Sequence, residues 1–500
     1  MTNLAQLLAT SAEAHPTRPA IRMDAHVLTY AELEAATGAV AAILHQHGLT
    51  TGDRVGVMLP NIPAFAAISY GVLRMGGVVV PMNPLLKDRE VAYYLSDSGA
   101  KLIFAWAGVQ DSAIAGAQTA GATCEIVTPG EFEARLAATT PDLELVDRAD
   151  DDTAVILYTS GTTGQPKGAE LTHAALNSNR EIAARTLIAL SPDDVVMGCL
   201  PLFHVFGFTA GLNATLGAGG CLTLIPRFDP IAALSVIERD RVTIFEGVPT
   251  MFAALNQAVA GGVVADTSSM RVSVSGGSAM PPAVLHAFEE TFGCVVLEGY
   301  GLSETSPAVS FNHPDRERKP GSIGTPIEGV QMRLVDDAGL EVSDGAVGEI
   351  QVKGPNVMKG YWGRPTETAA ALSADGWFST GDLAERDEDG YYTIVDRKKD
   401  LIIRGGYNVY PREIEDVLYE HPGIAEAAVV GLPHDTLGEE VGAVISLKPG
   451  AQATPEEIIA FVRERVAAYK YPRTVWIWDA LPKSATGKIL RREVRPSATS

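Results

Sequence analysis

The sequence predicts an α/β protein with a largely parallel sheet in a large N-terminal part, a small β-subdomain, and a small α+β domain at the C-terminal end. Three observations predict it. Short β-branched runs alternate with longer apolar stretches through residue 127 and resume after residue 150, the pattern of strands joined by crossover helices. From residue 321 to 395 the texture changes to short strands and frequent turns, marked by Gly324, Gly329, Asp336-Asp337, Gly345 and Asp389-Gly390. Then comes the dense charge run Asp396-Arg397-Lys398-Lys399-Asp400, which reads as a solvated linker, followed by enough chain for one more small domain. A chain of 500 residues exceeds one comfortable core, so at least two domains are expected.

The elements follow in order. Leu28-Thr29 ends a strand, and Thr29 caps a helix carrying residues 35–44. Residues 54–60 form a short buried strand, 64–75 an apolar helix and 78–81 another strand. Residues 153–157 are a buried strand, and Thr172 stands near the cap of a helix that starts at His173. The apolar run 195–203 is a strand leading into a loop that carries His204. Two further strand-to-loop transitions cover residues 271–278 and 295–305. Ligands of open α/β sheets bind outside the carboxyl ends of strands, where such loops lie. Beyond the charge run the pattern reads as strand (401–403), glycine turn (Gly405-Gly406), helix (411–419), strands (425–431 and 441–447) and helix (455–468).

Composition narrows the function. Hydrophobic residues make up 46% and charged residues 20%, as in an ordinary globular protein. A net charge of −22 argues against a nucleic-acid binder, which needs a basic face. Cys124, Cys199, Cys221 and Cys294 are scattered, without a CxxC pair or metal-ligand spacing, and read as reduced thiols. No stretch supplies the roughly 20 apolar residues that span a bilayer, and the N-terminus does not look like a signal peptide. The expected location is the cytoplasm, and the oligomeric state is open between monomer and homodimer.

The stretch that carries chemistry is Tyr158-Thr159-Ser160-Gly161-Thr162-Thr163-Gly164-Gln165-Pro166-Lys167-Gly168. Glycines let backbone N–H groups close round an anion, hydroxyls add donors, and Lys167 adds a positive charge. That composition holds a polyphosphate. A Walker A loop would need Gly-Lys followed by Ser or Thr; here Lys167 lies between Pro166 and Gly168.

This stretch resembles the phosphate-binding signature of the acyl-adenylate-forming superfamily: acyl- and aryl-CoA synthetases, adenylation domains of peptide synthetases, and beetle luciferases. The resemblance runs along nearly the whole chain, with motifs in the expected order, and is closest to medium- or long-chain fatty acyl-CoA synthetases. It implies ATP binding by Thr159, Ser160, Gly161, Thr162, Thr163, Gly164 and Lys167. It implies that Phe203, His204, Val205 and Phe206 wall the acyl pocket, together with Ser275, Gly276 and Gly301. The loops at Gly276-Gly277 and at Glu298-Gly299-Tyr300 would hold the nucleotide, with Tyr300 against adenine and Thr305 near the α-phosphate. Glu304 would bind Mg²⁺, a hard carboxylate on a hard cation. Asp382, in Ser379-Thr380-Gly381-Asp382, would accept the ribose hydroxyls, and Arg397 would reach the nucleotide. Lys399 would be the hinge between residues 1–395 and a mobile C-terminal domain, 400–500. Lys488, in Lys483-Ser484-Ala485-Thr486-Gly487-Lys488, would enter the site for adenylation. Thr159, Glu304 and Lys488 are thus the implied catalytic residues. Arg404-Gly405-Gly406-Tyr407-Asn408 would line the pantetheine channel of CoA, with the role of Arg404 open between a CoA phosphate and the acceptor surface.

The implied reaction is AMP-forming ligation of a carboxylic acid to CoA, with a medium- or long-chain fatty acid as the expected substrate. An aryl- or dicarboxylate-CoA synthetase comes next, then an amide synthetase or carrier-protein ligase. A catalytically silent nucleotide-binding regulator is opposed by the presence of Lys488, Glu304, Asp382 and Arg397 together. A P-loop kinase or ATPase making ADP is a further rival, which detection of AMP rather than ADP as product would exclude.

Overall fold

A computed structural model describes residues 3–159, 165–484 and 487–496. Among these residues the N-terminal domain is built on two large sheets with a shared core between them and a four-stranded antiparallel sheet beside them. One large sheet runs in the order Gly360–Tyr361, Lys167–Thr172, Thr153–Thr159, Val78–Pro81, Arg54–Met58, Leu102–Trp106, Thr123–Val127. Its last five strands are parallel, each fed by a helix, as the alternation predicts. The other contains the strands Val195–Gly198, Ile244–Gly247, Val272–Ser275 and Val295–Gly301, again parallel to one another. The strands Gln331–Val335, Gly348–Lys353, Phe378–Arg386 and Tyr392–Arg397 make the antiparallel sheet. The C-terminal domain is a separate mixed sheet covered by the helices Pro411–Tyr419 and Pro455–Arg463.

Local signals decide the element ends. The Thr29 hydroxyl accepts from the Glu32 N–H while Glu32 reaches back to the Thr29 N–H at 2.8 Å, a capping box that starts helix Tyr30–Gln46. Thr172 caps helix His173–Ile182 through the Ala175 N–H. Helix Pro63–Arg74 is buried along nearly its whole length, including Arg74. That arginine is tied to Glu34, to the Leu143 carbonyl at 2.7 Å and to Thr37 at 3.2 Å.

Three expectations are corrected. The glycine-rich stretch does not pass directly from strand to helix. Lys167–Thr172 is itself a strand, antiparallel to Thr153–Thr159. Gly168 allows that pairing, because a Cβ there would come within 2.6 Å of Ile156. The helix at 455–468 ends at Arg463, and Val466, Tyr469 and Tyr471 turn back onto the C-terminal core. The charge run is not wholly a solvated linker: Asp396 and Arg397 close strand Tyr392–Arg397, and Asp396 is only 3% exposed. No helix among the described residues is long and apolar enough to cross a membrane.

Truncating Arg74 should unfold this packing early. Arg74→Ala leaves Glu34 facing a buried, uncompensated site, which typically costs about 3–5 kcal/mol. A lowered unfolding midpoint in urea is the expected result. An unchanged midpoint would show that the pair contributes nothing net.

Candidate active site

Three structural layers meet at one carboxylate. Tyr300, on strand Val295–Gly301, donates its hydroxyl to Asp382 Oδ2 at 2.6 Å. Arg397 stands directly across the ladder from Asp382 and places Nε 2.9 Å from Oδ1. Asp382 is 4% exposed, so both partners hold it in one orientation. The Asp382 charge pushes the Arg397 guanidinium further up. Burial, then Asp382, pushes the Tyr300 phenol well above its ordinary value. The result is an oriented acceptor beside a fixed cation.

Lys488 arrives from the C-terminal domain on a tight turn. Ser484 donates its N–H to the Lys488 carbonyl at 2.8 Å, and Lys483 bridges to Ile489. The Gly487 carbonyl accepts from Thr250 Oγ1 at 3.3 Å, at the start of helix Pro249–Ala260. Gly487 has φ +80°, and a Cβ would press to 2.9 Å from Thr250 Oγ1, so the approach requires glycine. Burial pushes the Lys488 ammonium down to about 8, with Arg397 and Arg491 acting the same way and Asp382 and Asp400 opposing. His204 feels the same neighbour: burial first, then Lys488, lowers it to about 4, so it is neutral at physiological pH. The charges of Lys488, Asp382 and Arg397 thus act on one another, and Lys488 acts on His204.

The turn carrying Lys488 is anchored by a second carboxylate next to Arg397. Strand neighbours point to opposite faces, and Asp396 faces the C-terminal domain. Asp396 Oδ1 takes Arg491 Nη1 at 2.8 Å, and Oδ2 takes the Arg412 N–H at 2.9 Å. Arg491 also grips Glu415, with Nε at 2.9 Å from Oε1.

On the phosphate side, Thr159 and Lys167 are cross-strand partners flanking residues 160–164. The expected phosphate contacts of Ser160, Gly161, Thr162, Thr163 and Gly164 lie outside the described residues. Lys167 Nζ sits 5.2 Å from the centre of the Tyr361 ring, and the Tyr361 hydroxyl donates to Glu304 Oε1 at 3.0 Å. Burial raises the Glu304 carboxyl above its ordinary value, a cost that a divalent cation would relieve. Among the described residues no group of three or more His, Cys, Asp or Glu side chains gathers to hold a metal. One carboxylate facing the phosphate side still fits Mg²⁺, which takes one or two carboxylates and completes its shell with water and phosphate oxygens.

The acyl side is shaped by the loop after strand Val195–Gly198. Buried Asn61 holds that loop, accepting from the Leu202 N–H at 2.9 Å and donating to the Leu200 carbonyl at 2.7 Å. Phe203 and His204 are half-buried and Val205 buried; the chain then enters the π-helical segment Phe206–Asn213. The Phe206 ring lies against Gly276, where a Cβ would come within 2.9 Å of it. Gly277 is exposed beside it, with φ +81°. Gly299 packs on Phe311, and Gly301 packs on the Pro307 carbonyl. Ser275 shares the other face of its strand with Ser273, whose Oγ lies 3.4 Å from Cys294 Sγ.

Some expected contacts are made inside the protein instead. Thr305 is fully buried and donates its hydroxyl to the Pro307 carbonyl at 2.6 Å, bracing the turn that presents Glu304. Glu298 is buried and accepts the Gly321 N–H at 2.9 Å; burial raises it to about 7. Arg404 forks onto Glu440 at 2.5 and 2.9 Å, and Gly405 bonds Leu437, so these contacts stay within the C-terminal domain. Gly406 is exposed with φ +84°, and Lys399 is exposed between strands Tyr392–Arg397 and Ile402–Arg404. The sequence does not single out Tyr361, Asn356, Asn61, Asp396 or Arg491 as site residues. Asn356 donates to the Thr305 carbonyl at 3.1 Å and to the Ala308 carbonyl at 2.8 Å. Single residues of these types carry no periodicity or spacing that would mark them.

Among the described residues, an α/β fold thus carries an arginine-held carboxylate, a buried lysine from the C-terminal domain and the cross-strand pair Thr159–Lys167. The comparisons agree. The chain matches the AMP-binding enzyme family over residues 8–362 and the AMP-binding enzyme C-terminal domain over residues 413–488. It is 38% identical to a long-chain-fatty-acid–CoA ligase of Bacillus subtilis (strain 168), covering 99% of this chain and 94% of that protein. It is 39% identical to a feruloyl-CoA synthase of Amycolatopsis sp, covering 97% and 96%. The crystal structure of ATP-bound MatB from Rhodopseudomonas palustris superposes with a TM-score of 0.92 at 36% identity, covering 99% and 98%; the apo form of MatB gives 0.81. The chain belongs to the AMP-binding enzyme family and is an AMP-forming acyl-CoA synthetase.

Two outcomes follow from this geometry. Tyr361→Phe removes the donor that orients Glu304, and losing such a partner typically costs roughly 10–100-fold in metal affinity. The Mg²⁺ concentration for half-maximal pyrophosphate release should rise accordingly, and no rise would separate Glu304 from the metal. Lys488 carries its charge only below its lowered value of about 8. The kcat/KM for ATP should therefore fall as pH rises through about 8, and a profile flat to pH 10 would contradict that assignment.

Proposed function

We propose that the chain ligates medium- or long-chain fatty acids to CoA through an acyl-adenylate, consuming ATP and releasing AMP and pyrophosphate. The observation that carries the reading is the Tyr300–Asp382–Arg397 cluster of the N-terminal domain, together with the Gly487–Thr250 contact by which the C-terminal domain seats the turn of Lys488 on that domain. The apolar walls at Val205 and Phe206 and the similarity to a long-chain ligase support a fatty acid.

The chemistry explains the residues. A carboxylate is a poor acyl donor because oxide is a poor leaving group; joining it to AMP supplies a good one. The acid is already ionised near neutral pH, so it needs no general base to attack the α-phosphorus as pyrophosphate departs. The obstacle is one anion approaching another. Lys488 and Arg397 oppose the charge gathering on the α-phosphate, Lys167 and the flanking Thr159 face the outgoing phosphates, and Asp382 accepts the ribose hydroxyls. Mg²⁺ held by Glu304 would neutralise phosphate charge. Neutral His204 leaves the entering carboxylate free of a competing proton. In the second step the thiol of CoA adds to the acyl carbon and AMP leaves. Lys488 is not needed there, and we assign Lys399 as the pivot by which residues 400–500 turn relative to residues 1–395, bringing Gly405-Gly406 to the pantetheine.

A second reading, an aryl acid, is favoured by the flat Phe206 ring against Gly276 and by the similarity to a feruloyl-CoA synthase.

Pyrophosphate release across acetate, octanoate, palmitate, malonate, benzoate and cinnamate, each with and without CoA, tests the substrate. CoA-stimulated turnover on octanoate or palmitate is expected; turnover confined to aryl acids or malonate would replace the substrate and keep the mechanism. Lys488→Ala should slow adenylation by roughly 100-fold or more while transfer from preformed acyl-adenylate to CoA stays within a few-fold. Equal loss in both steps would overturn the division of labour.

A further inference from the structure

Glu246 is the buried acid that the mechanism leaves unused. It lies in strand Ile244–Gly247, paired with Val274 of the neighbouring strand, and is 1% exposed. Its Oε1 has no hydrogen-bond partner among the described residues. Alternation along the strand puts Glu246 on the face of Ile244, in the core that also holds Val205, Phe208 and Leu212 of the acyl-side loop and π-helical segment.

That segment leaves a gap opposite the acid. Gly211 is buried, yet among the described residues a Cβ built on it would meet, outside its own helix, only Glu246 Oε2, at 3.5 Å. Three positions before it, the helix packs Phe208 into the core; five before it, Phe206 covers Gly276. The Glu246 carboxyl thus lies at the carboxyl end of its strand, with Oε1 unpartnered among the described residues and Oε2 facing Gly211, in the core shared with the acyl-side segment.

A buried carboxyl without a partner costs free energy, roughly 1–3 kcal/mol for each unsatisfied group, more when charged. Burial alone raises Glu246 to about 8, so at neutral pH the group is a neutral acid offering one O–H donor and one carbonyl acceptor. A saturated alkyl chain satisfies neither. A hydroxyl satisfies both.

We propose that Glu246 is a specificity-determining residue at the inner end of the acyl pocket, and that it selects carboxylic acids bearing a hydroxyl group remote from the carboxylate, either on an aryl ring or on an acyl chain. This deepens the proposed ligase reading and rests on it. The distal hydroxyl donates to the Glu246 carbonyl oxygen and accepts from its O–H, while the body of the acid packs on Phe206 and Val205. The corresponding unsubstituted acid leaves Glu246 unpaired, which is the situation in which a polar pocket discriminates most strongly.

The test uses two matched pairs, 4-hydroxycinnamate with cinnamate and 8-hydroxyoctanoate with octanoate, in pyrophosphate release with ATP and CoA. For the wild-type protein, kcat/KM should favour the hydroxylated member of at least one pair by roughly 10-fold or more, the scale of one hydrogen bond plus an avoided unpaired group. Glu246→Leu should erase or invert that ratio and raise turnover of the unsubstituted member. Glu246→Gln, which keeps a donor and an acceptor, should hold the ratio within about 3-fold of wild type, since it forfeits less than one neutral hydrogen bond. Thermal unfolding of both variants checks that they fold. The proposal is overturned if wild type shows no preference in either pair, or if Glu246→Leu folds and leaves the ratio unchanged. Release from none of the acids would sink the ligase reading itself, and this proposal with it; release without discrimination sinks this proposal alone.

Discussion

The site depends on one carboxylate with two fixed partners. Asp382 receives the Tyr300 hydroxyl at 2.6 Å and the Arg397 guanidinium at 2.9 Å. Tyr300 ends a strand of one large sheet, whereas Asp382 and Arg397 face each other across the antiparallel sheet. Their contact therefore locks the two sheets at the place where the nucleotide sugar would lie. An exposed ion pair would contribute little. Here Asp382 is almost fully buried, and its remaining lone pairs are aimed rather than solvated. Preorganised acceptors and cations of this kind need not reorganise during reaction, and this makes them effective.

The next residue along the strand extends that lock to the C-terminal domain. Pleating turns Arg397 toward the site and Asp396 away from it. Asp396 holds Arg491, three residues beyond Lys488, and also the first turn of helix Pro411–Tyr419 through the Arg412 N–H. The position of Lys488 is thus set from two sides: by the Asp396–Arg491–Glu415 network behind its turn, and by Gly487 against Thr250 in front. Both contacts join the two domains, so a rotation of the C-terminal domain must release them together.

Around these fixed points the structure tolerates polar groups that a core would normally exclude. Thr305 and Asn356 spend their hydrogen bonds on the turn that presents Glu304, and Glu298 spends one on Gly321. These are structural uses of residues near a ligand site, and they explain how a loop-rich region keeps its geometry. Glu246 differs from them because its Oε1 is buried with no hydrogen-bond partner among the described residues.

Sequence alone determined the strand–helix alternation, the capping threonines at 29 and 172, the parallel character of the first sheet and the motifs of the family. Each of these is written in neighbouring residues: periodicity, a cap, or a run of glycines and hydroxyls. The sequence placed Asp382, Arg397 and Lys488 in one site only through the resemblance, because nothing local joins residues so far apart. Tertiary structure decided the rest. It made Lys167 a strand residue, buried Asp396 out of the charge run, and turned Thr305 and Glu298 inward. It also brought Tyr361 to Glu304 and Gly211 opposite Glu246. These outcomes turn on which face of a strand or helix meets which neighbour, and a partner's burial and charge are fixed only when distant segments pack.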